Sequence, residues 1–94
     1  MKIVVAPQAR DDLKTAYGYI AEDNPQAADR FLVRVVEIIG MLASEALEGR
    51  EVVLRDGRQV RSWLIPPYRV YYRKSKDLFE VIRVYHQARR PIER

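Results

Sequence analysis

The chain has 94 residues, no cysteine and a single histidine, which excludes a disulfide framework, thiolate chemistry and a histidine-rich structural zinc site. Hydrophobic residues make up 48% and charged residues 32%, a mix that excludes general disorder. Lys and Arg number 17 against 13 Asp and Glu, and the surplus is uneven: residues 1–47 hold 5 basic and 7 acidic side chains, residues 48–94 hold 12 and 6.

This length fits one domain over residues 1–94. No apolar run approaches the roughly 18 residues of a membrane span. Lys2 followed by Ile3-Val4-Val5 is too short for a signal peptide. The expectation is a reducing cytoplasm, no membrane partner, and no cofactor or metal. The basic second half should face something acidic, a nucleic acid or an acidic protein, although a merely solvated face would carry the same charges.

Lys2–Val5 is a β-branched run and reads as a strand. Pro7 suits a first helical turn, and Ala9, Leu13, Ala16, Tyr17 and Ile20 follow at helical spacing. Ala6 is a poor N-cap, while Asp11 and Asp12 lie near the helix start, where the dipole favours negative charge. Asn24-Pro25 pairs a favoured N-cap with a favoured first residue, so the first helix ends by about Asp23 and a second begins. That second helix carries a wide stripe of Ala28, Phe31, Leu32, Val35, Ile38, Ile39 and Leu42. The two predict an antiparallel helical hairpin.

From Gly49 the apolar period falls to two, and Asp56-Gly57 signals a tight turn. Three strands are predicted: Gln59–Ile65, stopped by Pro66-Pro67; Tyr68–Arg73; and Leu78–Tyr85 after the Ser75-Lys76-Asp77 turn. Short connections make them a three-stranded antiparallel meander. Residues 87–94 lack apolar periodicity and are expected to be irregular or frayed. The fold class is α+β, with helices packed on one face of a mostly antiparallel sheet.

Residues two apart on a strand share a face. Arg61 and Trp63 therefore group together, as do Arg69, Tyr71 and Arg73, and Arg83 and Tyr85. The alternate set of Val60, Leu64, Val70, Tyr72, Ile82 and Val84 is expected beneath the helices. One sheet face would then interleave arginines with aromatics. Such a face suits phosphate contact with base stacking, or a protein interface anchored by Trp, Tyr and Arg. A solvated face held by cation–π and aromatic contacts would look the same. Tyr19 should point away from the Tyr17 stripe, toward solvent or a partner. His86, just past the last strand, is the one residue of a type suited to acid–base work near neutral pH, and Tyr85 stands beside it. No catalytic triad, phosphate-cradling loop or metal-ligand spacing is present.

Several short stretches, taken in order, carry a family resemblance. They are Ala9-x-x-Asp12-Leu13, Tyr19-Ile20-Ala21-Glu22-Asp23-Asn24-Pro25, Ala27-Ala28-x-Arg30-Phe31, Gly49-Arg50, Tyr68-Arg69-Val70-x-Tyr72 and Ile82-Arg83-Val84-x-His86-x-Ala88-Arg89. Along nearly its whole length the chain resembles the ParE/RelE toxin superfamily of type II toxin–antitoxin systems, and its YIAEDNP turn and VYHQAR ending are most similar to the ParE branch. It departs from that branch at Gln87, where Gly is usual, and at Arg90, where Asp is usual.

The resemblance implies a helical hairpin on an antiparallel sheet and a cytoplasmic toxin neutralised by a ParD-like antitoxin. The ParE branch implies DNA gyrase as target and no catalysis. The RelE branch implies a metal-independent, ribosome-dependent mRNA endonuclease. Arg69 and Arg89 correspond to nuclease arginines and His86 could join them, but the family's loop lysines and tail tyrosine have no counterpart. A non-toxic antitoxin-binding module is the third reading. The surfaces expected to meet antitoxin or target comprise Tyr19, Arg61, Trp63, Arg69, Tyr71, Arg73, Arg83, Tyr85, Arg89 and Arg90.

Overall fold

A strand, a helical hairpin and four further strands follow one another along the 94 residues described by this computed structural model. They are β1 (Lys2–Val5), α1 (Pro7–Asp23), α2 (Pro25–Ala43), β2 (Arg50–Val53), β3 (Gln59–Ile65), β4 (Tyr68–Lys74) and β5 (Leu78–His86). No helix is long and apolar enough to cross a membrane.

Asn24 makes the hairpin sharp by serving two helices. Its backbone N–H donates to Ile20 O and closes α1, while its side chain accepts from Ala27 N–H at 3.0 Å and opens α2. A cap of this kind is worth about 1 kcal/mol. Ala6 provides no side-chain cap, and Pro7 starts α1 without one. Tyr17 ties the two helices together by donating to Asp29 Oδ1 at 2.5 Å.

The sheet order is β1-β5-β4-β3-β2. β2 through β5 run antiparallel, and β1 lies parallel to β5 at the far edge. The meander thus has four strands where the sequence predicts three. The additional strand, β2, is only four residues long and buries Val52 alone, too short for its alternation to register.

Ala9, Ala16, Val35, Ile38 and Leu42 of the hairpin pack on Ile65, Val70, Tyr72, Phe79, Val81 and Val84 of the sheet. Leu32, expected in this stripe, stands exposed on the outer side of α2. A second, smaller cluster fills the opposite sheet face: Val52, Leu54, Val60, Tyr71, Ile82 and Tyr85, covered by Ile92. The sheet is therefore apolar on both faces.

This second cluster corrects the expected face assignment. The Pro66-Pro67 turn places Ile65 opposite Tyr68, so Trp63 faces Val70 and Arg61 faces Tyr72. Arg61 and Trp63 accordingly lie on the helix side, and Val60 and Leu64 on the outer side, because a two-residue turn fixes the parity of both strands. Ile82 moves outward for another reason. The register shifts between Tyr71 and Tyr72, which pair with Arg83 and Val81 and leave Ile82 as the extra residue of a bulge.

The closing segment is a further correction. It has no regular element, but it is pinned rather than frayed. Arg55 N–H donates to Ile92 O at 2.7 Å and Arg94 N–H to Val53 O at 2.9 Å, extending the β2 edge. Tyr85 OH donates to Arg90 O at 2.5 Å.

Candidate functional site

The chain offers two neighbouring surfaces that meet at the end of β5. The first is the outer sheet face. β4 presents Arg69, Tyr71 and Arg73 there, and β5 presents Arg83 and Tyr85, directly opposite Tyr71 and Arg69. The Tyr85 ring is flanked by two guanidinium groups, Arg83 at 5.2 Å and Arg89 at 4.9 Å from its centroid. Cation–π contacts of this kind hold the arginines over the ring without neutralising them.

Local carboxylates divide the arginines into two groups. Arg61 donates to Gly49 O at 2.7 Å and pairs with Glu48 and Glu51, both at 3.1 Å. Arg73 pairs with Glu80 at 2.9 Å. Arg83 makes a two-point contact with Asp12, which lifts its pKa further through the carboxylate hydrogen bond. Arg69, Arg89 and Arg90 have no carboxylate partner. Arg69 donates to the buried Ser62 Oγ at 3.0 Å, while its Nε is buried with no partner.

Part of this face is already occupied. Tyr71 OH donates to Glu93 Oε2 at 2.6 Å, and Arg50 approaches Glu93 Oε1 at 3.3 Å. Burial, then the bond to Glu93, pushes the Tyr71 phenol well above its ordinary 10.0. A cavity of about 320 Å³ remains beside the segment, lined by Arg50, Arg89 and Arg94 with Tyr71 and Tyr85.

The second surface is a groove of about 360 Å³ between α1 and the end of β5. Thr15 and Tyr19 line it from the helix, Tyr68 and His86 from the sheet, and Arg89 from the turn that follows β5. Tyr19 is 68% exposed. His86 is the last residue of β5 rather than the first beyond it. Its ring meets Tyr68 edge-on at 5.0 Å, and its Nδ1 accepts from Ala88 N–H at 3.0 Å. That bond commits one ring nitrogen to shaping the turn. Burial raises the Tyr68 phenol.

Of the sequence-predicted residues, the structure therefore gathers Arg69, Tyr71, Tyr85 and Arg89 on one face. It places Tyr19 and His86 in the adjoining groove and sends Arg61 and Trp63 to the helix side. Arg69 and His86 sit on opposite sheet faces, since Arg69 opposes Tyr85 and His86 opposes Tyr68. Tyr85 OH is engaged by Arg90 O. No group of three His, Asp or Glu side chains is placed to hold a metal.

Sequence reasoning missed Asp12, Ser62, Tyr68 and Glu93. Asp12 reads as a helix-dipole residue but lies beyond the first turn and reaches the sheet instead. A lone carboxylate among Arg89, Arg90 and Arg94 was the available sign of Glu93, although sequence gives no hint of its Tyr71 partner.

A two-helix hairpin on a five-stranded sheet, with a basic aromatic face and a tyrosine-lined groove, defines a small α+β protein organised around contact surfaces. A family model described as "ParE toxin of type II toxin-antitoxin system, parDE" matches residues 3–91, and the chain belongs to that family. A solved structure described as the chromosomal ParDE TA system from P. aeruginosa shares the fold. Its TM-score is 0.71 at 21% identity, over 92% of this chain and 95% of that one. Comparison with curated proteins gives no significant match.

Proposed function

We propose that this ParE-family toxin acts in the cytoplasm by inhibiting DNA gyrase and is neutralised by a cognate ParD-like antitoxin. The observation that carries the choice of target is the outer sheet face. The nuclease set is incomplete there: Arg69 and His86 stand on opposite faces of the sheet, although His86 and Arg89 share a cavity, and no lysine or tail tyrosine joins them. Binding, not catalysis, is the work left to Arg69, Arg73, Arg83, Tyr85, Arg89 and Arg90. Antitoxin recognition is assigned chiefly to the groove with Tyr19 at its rim, where an apolar wall and the Arg89 cation suit an acidic amphipathic helix.

The test is a supercoiling assay with purified gyrase, relaxed plasmid and increasing toxin, run beside induction in cells. The expected result is loss of supercoiling, with intact messages and filamented cells. Normal supercoiling at large excess sinks the gyrase assignment. Cut messages with rapid translation arrest would transfer it to the nuclease branch, and unimpaired growth to the non-toxic module.

A further inference from the structure

We propose that two copies of this chain pair through the outward face of α2, antiparallel and about a two-fold axis that passes between Val33 and Val36. That face is separate from the surfaces described above: no residue of α2 lines the Tyr19 groove or the cavity beside the closing segment.

α2 buries Ala28, Val35, Ile38, Ile39 and Leu42 on its inner side. On the opposite side Val33 and Val36 stand 57% and 63% exposed, and Leu32 extends the apolar strip along one border. Asp29, Val33, Val36 and Gly40 follow at intervals of four, three and four, the heptad seam along which two helices interlock. Nothing within the chain requires Gly40. A Cβ there would meet nothing within 4 Å, although glycine inside a helix is destabilising relative to alanine. A missing side chain at that position lets a second helix approach closely.

Charge selects a second copy as the occupant. Arg30 and Glu37 lie two helical turns apart on the other border of the strip, and neither has an ion-pair partner in its own chain. In the antiparallel register that sets Val33 against the second copy's Val36, Arg30 falls beside the second copy's Glu37, and the two-fold axis repeats the pair. Asp29, already held by Tyr17, then falls opposite the second copy's Gly40, which offers no side chain to collide with it. Arg34 lies further round the helix and stays in solvent. A different protein would have to reproduce this order of cation, apolar pair and anion, whereas a second copy carries it by symmetry. One helix pair covers less than the roughly 1,600 Å² of a standard interface, so the dimer is weak and depends on concentration.

The experiment is sedimentation equilibrium on the purified full chain, from about 5 μM to about 1 mM, where a weak dimer forms and dissociates. Reversible dimerisation is the expected result. Arg30→Glu and Glu37→Arg each set like charges against one another twice, and each should weaken the dimer about tenfold or more at unchanged melting temperature. An equimolar mixture of these two variants regains both opposite-charge pairs and should dimerise as the parent does. Val36→Glu places a charge in the seam and should abolish the dimer. Gly40→Gln, whose side chain has room in the free chain, should weaken it as well. A parent that stays monomeric throughout, a dimer indifferent to these changes, or a mixture no better than either variant alone would each overturn the proposal. A monomeric parent in which Val36→Glu abolishes antitoxin binding would assign the face to that partner instead.

Discussion

Asp12 and Arg83 lie 71 residues apart and form the closest ion pair of the chain, 2.7 Å from Nε to Oδ2, with a second contact of 3.0 Å to Oδ1. The carboxylate also accepts from Val84 N–H at 3.0 Å. β1 ends at Val5, opposite Val81, so beyond that point β5 has no strand neighbour on the edge away from β4. Asp12 supplies the missing acceptor from the second turn of α1. One side chain thereby fixes the helix to the sheet and aims Arg83 at Tyr85. Asp12 is 8% exposed, so removing it strands both a guanidinium and a buried amide. Asp12→Ala is expected to cost about 3 kcal/mol, by the usual penalty for breaking a buried pair from one side. Asp12→Asn keeps an acceptor for Val84 and should lose less. Thermal melts decide the matter, and an Asp12→Ala variant as stable as the parent removes the assignment.

Gly49 is required by proximity rather than by backbone angle. A Cβ there would stand 2.5 Å from Ser62 O and 2.8 Å from the Tyr72 hydroxyl, and Gly49 N–H donates to that hydroxyl at 2.8 Å. Gly49→Ala should destabilise by about 1–3 kcal/mol through overpacking. Tyr72→Phe should cost about 1–2 kcal/mol by leaving a buried N–H unpaired. In the double variant one of the two clashes disappears, so the combined loss should be smaller than the sum of the single losses. Full additivity in chemical denaturation would contradict this geometry.

The hairpin was legible because its signals are local. Asn24-Pro25 carries both caps within two residues, and the stripe from Ala28 to Leu42 repeats often enough to define its buried side. Strand positions other than β2 were legible too, whereas strand faces were not. Whether Arg61 joins Tyr71 or Tyr72 depends on the parity of the Pro66-Pro67 turn, and Ile82 turns outward only through a bulge. Neither leaves a trace in apolar alternation. The candidate site suffered most, since Asp12 with Arg83 and Tyr71 with Glu93 are contacts between distant parts of the chain. Composition revealed the basic face, but pairing decided which of its arginines stay free.

Tyr71 makes stability depend on alkaline pH. Burial first, and the Glu93 bond second, raise its phenol above the ordinary 10.0. A raised folded-state pKa means that the native chain holds its proton more tightly than the unfolded one. The resulting stabilisation is complete below pH 10.0 and is lost as pH rises toward the folded value. Melting temperature should therefore fall through the alkaline range, and Tyr71→Phe should flatten that fall while lowering stability at neutral pH. A parent chain whose melting temperature is level across the range, or a Tyr71→Phe chain with the same slope, would exclude the coupling.

Tyr19 separates binding from folding. It is 68% exposed at the rim of the groove that Tyr68 and His86 help to line, and no side-chain hydrogen bond holds it. Tyr19→Ala should leave stability within about 0.5 kcal/mol of the parent, as for most surface substitutions. If this groove receives the antitoxin helix, the same change removes an aromatic anchor, and such anchors cost about 2 kcal/mol or more when truncated at an interface centre. That corresponds to a roughly thirtyfold weaker complex. Calorimetric titration of toxin and Tyr19→Ala with the neutralising antitoxin measures it directly. Equal affinity for both chains would move the docking site away from the groove, whereas weaker binding at unchanged melting temperature would tie Tyr19 to recognition alone.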